Sequence, residues 1–184
     1  MRIAQIISAS AIFALAACGQ AAAPSSADAQ PSAQTSTAAT SSTEATAAER
    51  TAILTALHLS ADARGLVMNE CNDTVTPSYI PADIGLGRTI LFAMGGGPNG
   101  GYTCYGDGPD LHLMRADGAA WREVWANRGG YMVILPTTHN GAHDLLYGGP
   151  GMSHPWDRWD GSRYAPGGDM AESAMPADAV MLPQ

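Results

Sequence analysis

Three patterns of apolar and polar positions follow one another along the chain. From Ile3 to Ala16 nearly every residue is apolar, whereas from Gly19 to Ala47 the chain is almost wholly Ala, Ser, Thr, Gln and Pro. Periodic structure is expected only after that. Ile53, Leu54, Leu57 and His58 recur at helical spacing, which predicts a short amphipathic helix over Glu49 to Leu59 that packs by one face. Short apolar runs bounded by Gly, Pro, Asn or Asp then predict strands. These are expected near Leu66 to Glu70, Val75 to Ile80, Thr89 to Met94, Tyr102 to Tyr105 and Asp110 to Arg115. Further strands are expected near Ala120 to Ala126, Tyr131 to Leu135, His143 to Tyr147 and Pro155 to Trp159. Asp117-Gly118 and Asp160-Gly161 supply the positive backbone angles of tight turns and mark two hairpins. The expected fold class is therefore mainly β, an antiparallel β-sheet domain such as a small sandwich, with a short helix at its start. Residues 48–165 form that domain, and residues 166–184, which mix Gly, Pro, Asp, Ala and Met without a period, are expected to be a flexible tail.

There is also a faint internal echo. Ile90-Leu91-Phe92-Ala93-Met94 runs into Gly95-Gly96-Gly97-Pro98, and Leu145-Leu146-Tyr147 runs into Gly148-Gly149-Pro150-Gly151. A strand that ends in glycines and a proline, twice, points to two similar half-units.

The apolar opening changes meaning once its flanks are read. Arg2, the apolar stretch and the small pair Ala16-Ala17 have the layout of an export signal, and the stretch is shorter than the roughly 20 residues needed to span a bilayer. Leu15-Ala16-Ala17-Cys18 resembles the lipobox of bacterial lipoproteins, which implies that residues 1–17 are removed and that Cys18 carries lipid. Gly19, in place of Asp, is similar to the pattern sent on to the outer membrane. The expected location is thus the cell envelope, anchored by lipid and facing the periplasm. Residues 18–47 have too little apolar side chain to repay ordering, and such a tether reaches roughly 30 Å.

Charge narrows the partners. The formal net charge is -8, and loss of Arg2 makes it -9 in the mature chain, with no basic run. Nucleic acid and charge-driven docking on anionic lipid are both disfavoured. The expected partners are the membrane, through the lipid, and an envelope protein or glycan. One alternative is an inhibitor or receptor whose acidic surface suits a basic partner; another is a metal-dependent hydrolase. Three cysteines are present. With Cys18 acylated in an oxidising envelope, Cys71 and Cys104 are expected to form a disulfide worth about 3 to 4 kcal/mol on the chain-entropy account.

Asp144-Leu145-Leu146-Tyr147-Gly148-Gly149-Pro150-Gly151, Pro155, Arg158-Trp159-Asp160-Gly161 and Tyr164, with Cys71, Cys104-Tyr105-Gly106 and Trp121, resemble small exported bacterial proteins related to FG-GAP (VCBS-type) repeat domains. The resemblance runs roughly from Ile53 to Tyr164 and implies blade-like β-sheets. Its calcium loop would fall on Asp83-Ile84-Gly85-Leu86-Gly87-Arg88, where the third and fifth positions are glycines with no oxygen to offer. No cofactor is expected.

Candidate chemistry is sparse. His139, His143 and Asp144 are the nearest approach to a zinc set, but Asn140-Gly141 favours a turn where zinc hydrolases use one helix face. His112 with Met114, and Met152 with His154, resemble soft copper ligands, though methionine more often fills a core. The glycine runs lack the helix and Lys of a phosphate cradle, and Ser153-His154 lacks the setting of a hydrolase elbow. Among the aromatics, Tyr131 and Trp156 are the candidates for an exposed ligand platform.

Overall fold

The computed structural model describes residues 44–95, 108–149 and 154–182. They form a mainly antiparallel β fold with one helix, α1 (Ala47–Ala56). Strands β1 (Val67–Met68) and β2 (Thr74–Val75) make a small ribbon. Next comes a four-stranded meander, β3 (Ser78–Pro81), β4 (Thr89–Met94), β5 (Asp110–Asp117) and β6 (Ala120–Arg128). A second meander runs through β7 (Tyr131–His139), β8 (Ala142–Gly148), β9 (His154–Trp159) and β10 (Tyr164–Met170). The last strand, β11 (Val180–Leu182), returns to pair with β7, giving the order β10-β9-β8-β7-β11. The two echo segments thus contribute the second strand of each meander, β4 and β8.

Strand alternation assembles the interior between the meanders. Leu91, Ala93, Leu111 and Leu113 from the first sheet cluster with Met132, Ile134, Leu145, Trp159 and Leu182 from the second. A bulge between Leu113 and Met114 leaves Val124 as the extra residue on β6, so that Val124 and Trp125 both reach this core. The alternate residues of β4, Ile90, Phe92 and Met94, face the other way, where Ile53 and Leu54 of α1 cover them. Fully burying each such aliphatic side chain contributes about 1.5 to 3 kcal/mol. On the far side of the second sheet, Val133, Leu135 and Leu146 lie beneath Met170, Met175 and Ala179.

The helix is clamped at its start. Thr46 and Glu49 form a capping box, and Arg88 donates to both Glu49 carboxylate oxygens at 2.9 and 3.2 Å. The Arg88 guanidinium holds the Glu49 carboxyl down at about 2. Its contribution is present above the ordinary value of 4.5 and is lost as pH falls toward about 2.

Several expectations require adjustment. The stretch expected as one strand from Val75 to Ile80 is split between β2 and β3, because Thr76-Pro77 interrupts it: a proline has no N–H for the ladder. The strand expected near Leu66 to Glu70 is confined to Val67–Met68, and Asn69 instead caps the turn through Cys71 and Asp73. The strand expected near Tyr102 to Tyr105 lies outside the described residues. The largest correction concerns residues 166–184, expected as a flexible tail: β10 runs through Pro166 to Met170, and β11 carries Leu182 into the shared core. Pro166 and two glycines mask that strand, yet a proline is tolerated at the sheet edge that β10 occupies. Both expected turns are present, with Gly118 at φ 62 and Gly161 at φ 110.

Candidate functional site

One irregularity in the second sheet creates the chemistry on both of its faces. The β7–β8 ladder breaks between Ile134 and Thr138, where Pro136 has no N–H to pair. The Leu135 carbonyl accepts instead from His143 Nδ1 at 2.7 Å. The same break admits Thr137, whose hydroxyl donates to Asp144 Oδ2 at 2.5 Å, while His139 Nδ1 donates to Asp144 Oδ1 at 2.7 Å. Asp144 is 1% exposed, and these two donors satisfy it.

Successive strand residues point to opposite faces, so His143 and Asp144 part company. His139, Thr137 and Asp144 share the outer face with Trp156, whose ring centroid lies 6.2 Å from that of His139. His143 lines a separate cleft between the sheets. The expected metal candidates are thus divided, and among the described residues no group of three metal-ligating side chains converges. Since a carboxylate only accepts, Asp144 fixes the His139 proton on Nδ1 and turns Nε2 outward. The one hydroxyl in this described network, that of Thr137, is already spent on the same carboxylate.

Replacing Asp144 with Ala is expected to cost about 2 to 3 kcal/mol, because it strands the Thr137 hydroxyl and the His139 N–H together. Thermal unfolding should show a fall of about 10 °C; a shift below about 2 °C would mean the network carries no structural weight.

The expected platform residues have other commitments. Tyr131 and Trp156 do share the outer face, but both are partly buried against the cluster of Val133, Leu135 and Leu146. Tyr131 bonds His154 Nδ1 through its hydroxyl at 2.8 Å, and burial pushes that hydroxyl up from its usual range. Trp156 lies over Gly167, where a Cβ would sit 2.3 Å from its ring, so only glycine fits beneath it. The copper candidates are likewise absorbed. Met114 is fully buried against α1, and His112 Nδ1 lies 2.6 Å from Glu123. Met152 and Ser153 lie outside the described residues. Within this loop Asp83 accepts from the Gly85 N–H, and Arg88 reaches out of it to Glu49 of α1.

Two further features leave little trace in the sequence. Asp157, buried between the sheets, accepts from Trp125 Nε1 at 2.7 Å; burial raises its carboxyl and the Trp125 hydrogen bond lowers it. The second feature is the cleft that His143 lines, of about 480 Å3, bounded by Pro81 and Asp83 on one side and by Pro136, Asp178 and Val180 on the other. It opens where β3, an edge of the first sheet, meets β11, an edge of the second. The carboxylate at 157 stands at an inward position of β9 beside Trp159, a polar residue in a core phase, which is the one sign of it in the sequence. The cleft joins residues nearly a hundred positions apart and leaves no local sign.

No family model, curated protein or solved structure matches this chain.

Proposed function

We propose that this chain is a lipid-anchored binding module of the bacterial cell envelope, held at the outer membrane on the periplasmic side. The observation that carries the binding reading is the cleft between β3 and β11, which opens at a sheet seam and presents Asp83 and Asp178 beside apolar walls. His139 and Asp144 on the opposite face, in contrast, are engaged with each other and with Thr137 beside the β7–β8 break. The anchor rests on Leu15-Ala16-Ala17-Cys18 and on the tether of residues 18–47. A disulfide from Cys71 to Cys104 belongs to the same proposal, since an exported chain meets oxidising conditions.

In a bacterial host, the wild-type chain is expected to incorporate labelled palmitate and sediment with membranes. Cys18→Ala should abolish the label and move the protein to the soluble fraction. An unlabelled wild-type chain at its uncleaved mass would remove the anchor from this reading. The binding part is tested with the mature chain as bait for envelope extract, and specific retention of a component is the expected outcome.

A further inference from the structure

We propose that the cleft takes an extended basic segment of a partner protein, added as a strand along β11 with its cationic side chains directed to Asp83 and Asp178. This rests on the binding reading above and names its partner chemistry.

The edge itself is the first argument. Among the described residues β11 pairs on one side only, with β7, and its far side has no strand. An edge row of backbone donors and acceptors is a ready template for an incoming strand. β11 is only three residues long, and its Val180 and Met181 are 55% and 57% exposed, so the free edge offers a short docking stretch with apolar side chains in reach of solvent.

Register gives the second. Val180 stands opposite Ile134, whose side chain enters the shared core, while Met181 stands opposite Val133, which faces outward. Val180 therefore belongs to the cleft face and Met181 to the outer face. A strand beside β11 would alternate in the same way. Its inward side chains meet Val180, Pro81 and the two carboxylates; its outward ones meet Met181. Long cationic side chains suit the inward positions, since their stems lie on Pro81 and Val180 while their heads reach carboxylate and water. Aliphatic side chains suit the outward positions.

Charge selects among occupants. Asp83 and Asp178 are exposed and neither is ion-paired to any described residue. The chain's own tether from Gly19 to Thr43 contains no Lys or Arg. A second copy docked by the same edge would bring the acidic patches of both copies together, because a two-fold interface uses the same patch on each subunit. An acidic cleft also repels an anionic lipid surface. A basic polypeptide answers all three points.

The probe is a dye-labelled peptide of four Lys-Val repeats, titrated against the mature chain by fluorescence anisotropy. Three comparisons accompany it: the Glu-Val peptide, a Lys-Val peptide N-methylated at alternate amides, and the Asp83→Asn/Asp178→Asn double variant. Each substitution keeps side-chain shape, and the Asn at 83 retains an oxygen for the Gly85 N–H. Saturable binding is expected for Lys-Val and none for Glu-Val. Alternate methylation should weaken binding at least tenfold by blocking the edge hydrogen bonds. The double variant should weaken it about tenfold, the product of two exposed pairs. Equal binding of the methylated peptide, no change in the double variant, or no saturable binding would each overturn the proposal. Concentration-dependent dimerisation that the peptide leaves untouched would assign the edge to a second copy and overturn it too. If an envelope component is retained equally by wild type and double variant, the cleft assignment falls while the binding-module reading stands.

Discussion

Ending the chain after Met170 is expected to lower the free energy of unfolding by about 5 kcal/mol, which is as much as many small domains possess. Leu182, buried in the core between the sheets, contributes about 2 to 3 kcal/mol by removal from water. Loss of β11 also ends its pairing with β7, at about 1 kcal/mol for each hydrogen bond. Met175 and Ala179 leave the outer face as well, uncovering Val133, Leu135 and Leu146, each now at most 1% exposed. Urea unfolding followed by tryptophan fluorescence measures the sum. A loose appendage would leave the midpoint within about 0.5 kcal/mol of the full chain. Should the shortened chain fail to accumulate, Leu182→Ala in the full chain supplies the same answer on a smaller scale, with an expected loss of about 2 to 3 kcal/mol.

This final segment shows why sequence pattern reached some parts of the fold and not others. The strands β4 and β8 are legible because each joins an apolar run to glycine, proline or asparagine turns, and β9 because Trp156 and Trp159 lead into the Asp160-Gly161 turn. Pro166-Gly167-Gly168 reads as a break by composition, yet Gly167 is demanded by the Trp156 ring above it and the chain stays paired with β9 around it. Val180-Met181-Leu182 is too short for any period to register, and its pairing with Ile134, Val133 and Met132 is a long-range choice. The site behaved likewise. His139, His143 and Asp144 lie close together in the sequence, but alternation at the Pro136 break sends His143 to the cleft and the other two to the outer face. Alternation in the expected strand already separates His143 from Asp144, but which of the two His139 joins depends on where the ladder loses its register. Asp178 acquires meaning only when β11 brings it across from Asp83.

The two seams of the structure are built differently, and Trp125→Phe is expected to separate them. At the seam away from the cleft, Trp125 of β6 reaches Asp157 of β9 and stacks edge-on against Tyr147, with ring centroids 5.5 Å apart. Phe keeps much of the ring but not the indole N–H, leaving a buried carboxylate without this donor. The expected cost at pH 7 is about 3 kcal/mol, combining a hydrogen bond to a charged group with a small cavity. The pH dependence identifies the cause. Burial raises the Asp157 carboxyl above its ordinary 3.8, so its favourable contribution is complete below that value and is lost as pH rises through the folded-state value. Removing Trp125 takes away the one influence that lowers it, so the variant's deficit should be larger at pH 7 than at pH 3, by about 1 kcal/mol. Asp157→Asn should flatten this part of the pH profile; a deficit independent of pH, or one unaffected by that change, would assign the loss to packing alone. Because the cleft lies at the other seam, a folded Trp125→Phe chain should bind the Lys-Val peptide as wild type does. A parallel loss of affinity would instead mean that closing one seam sets the width of the other.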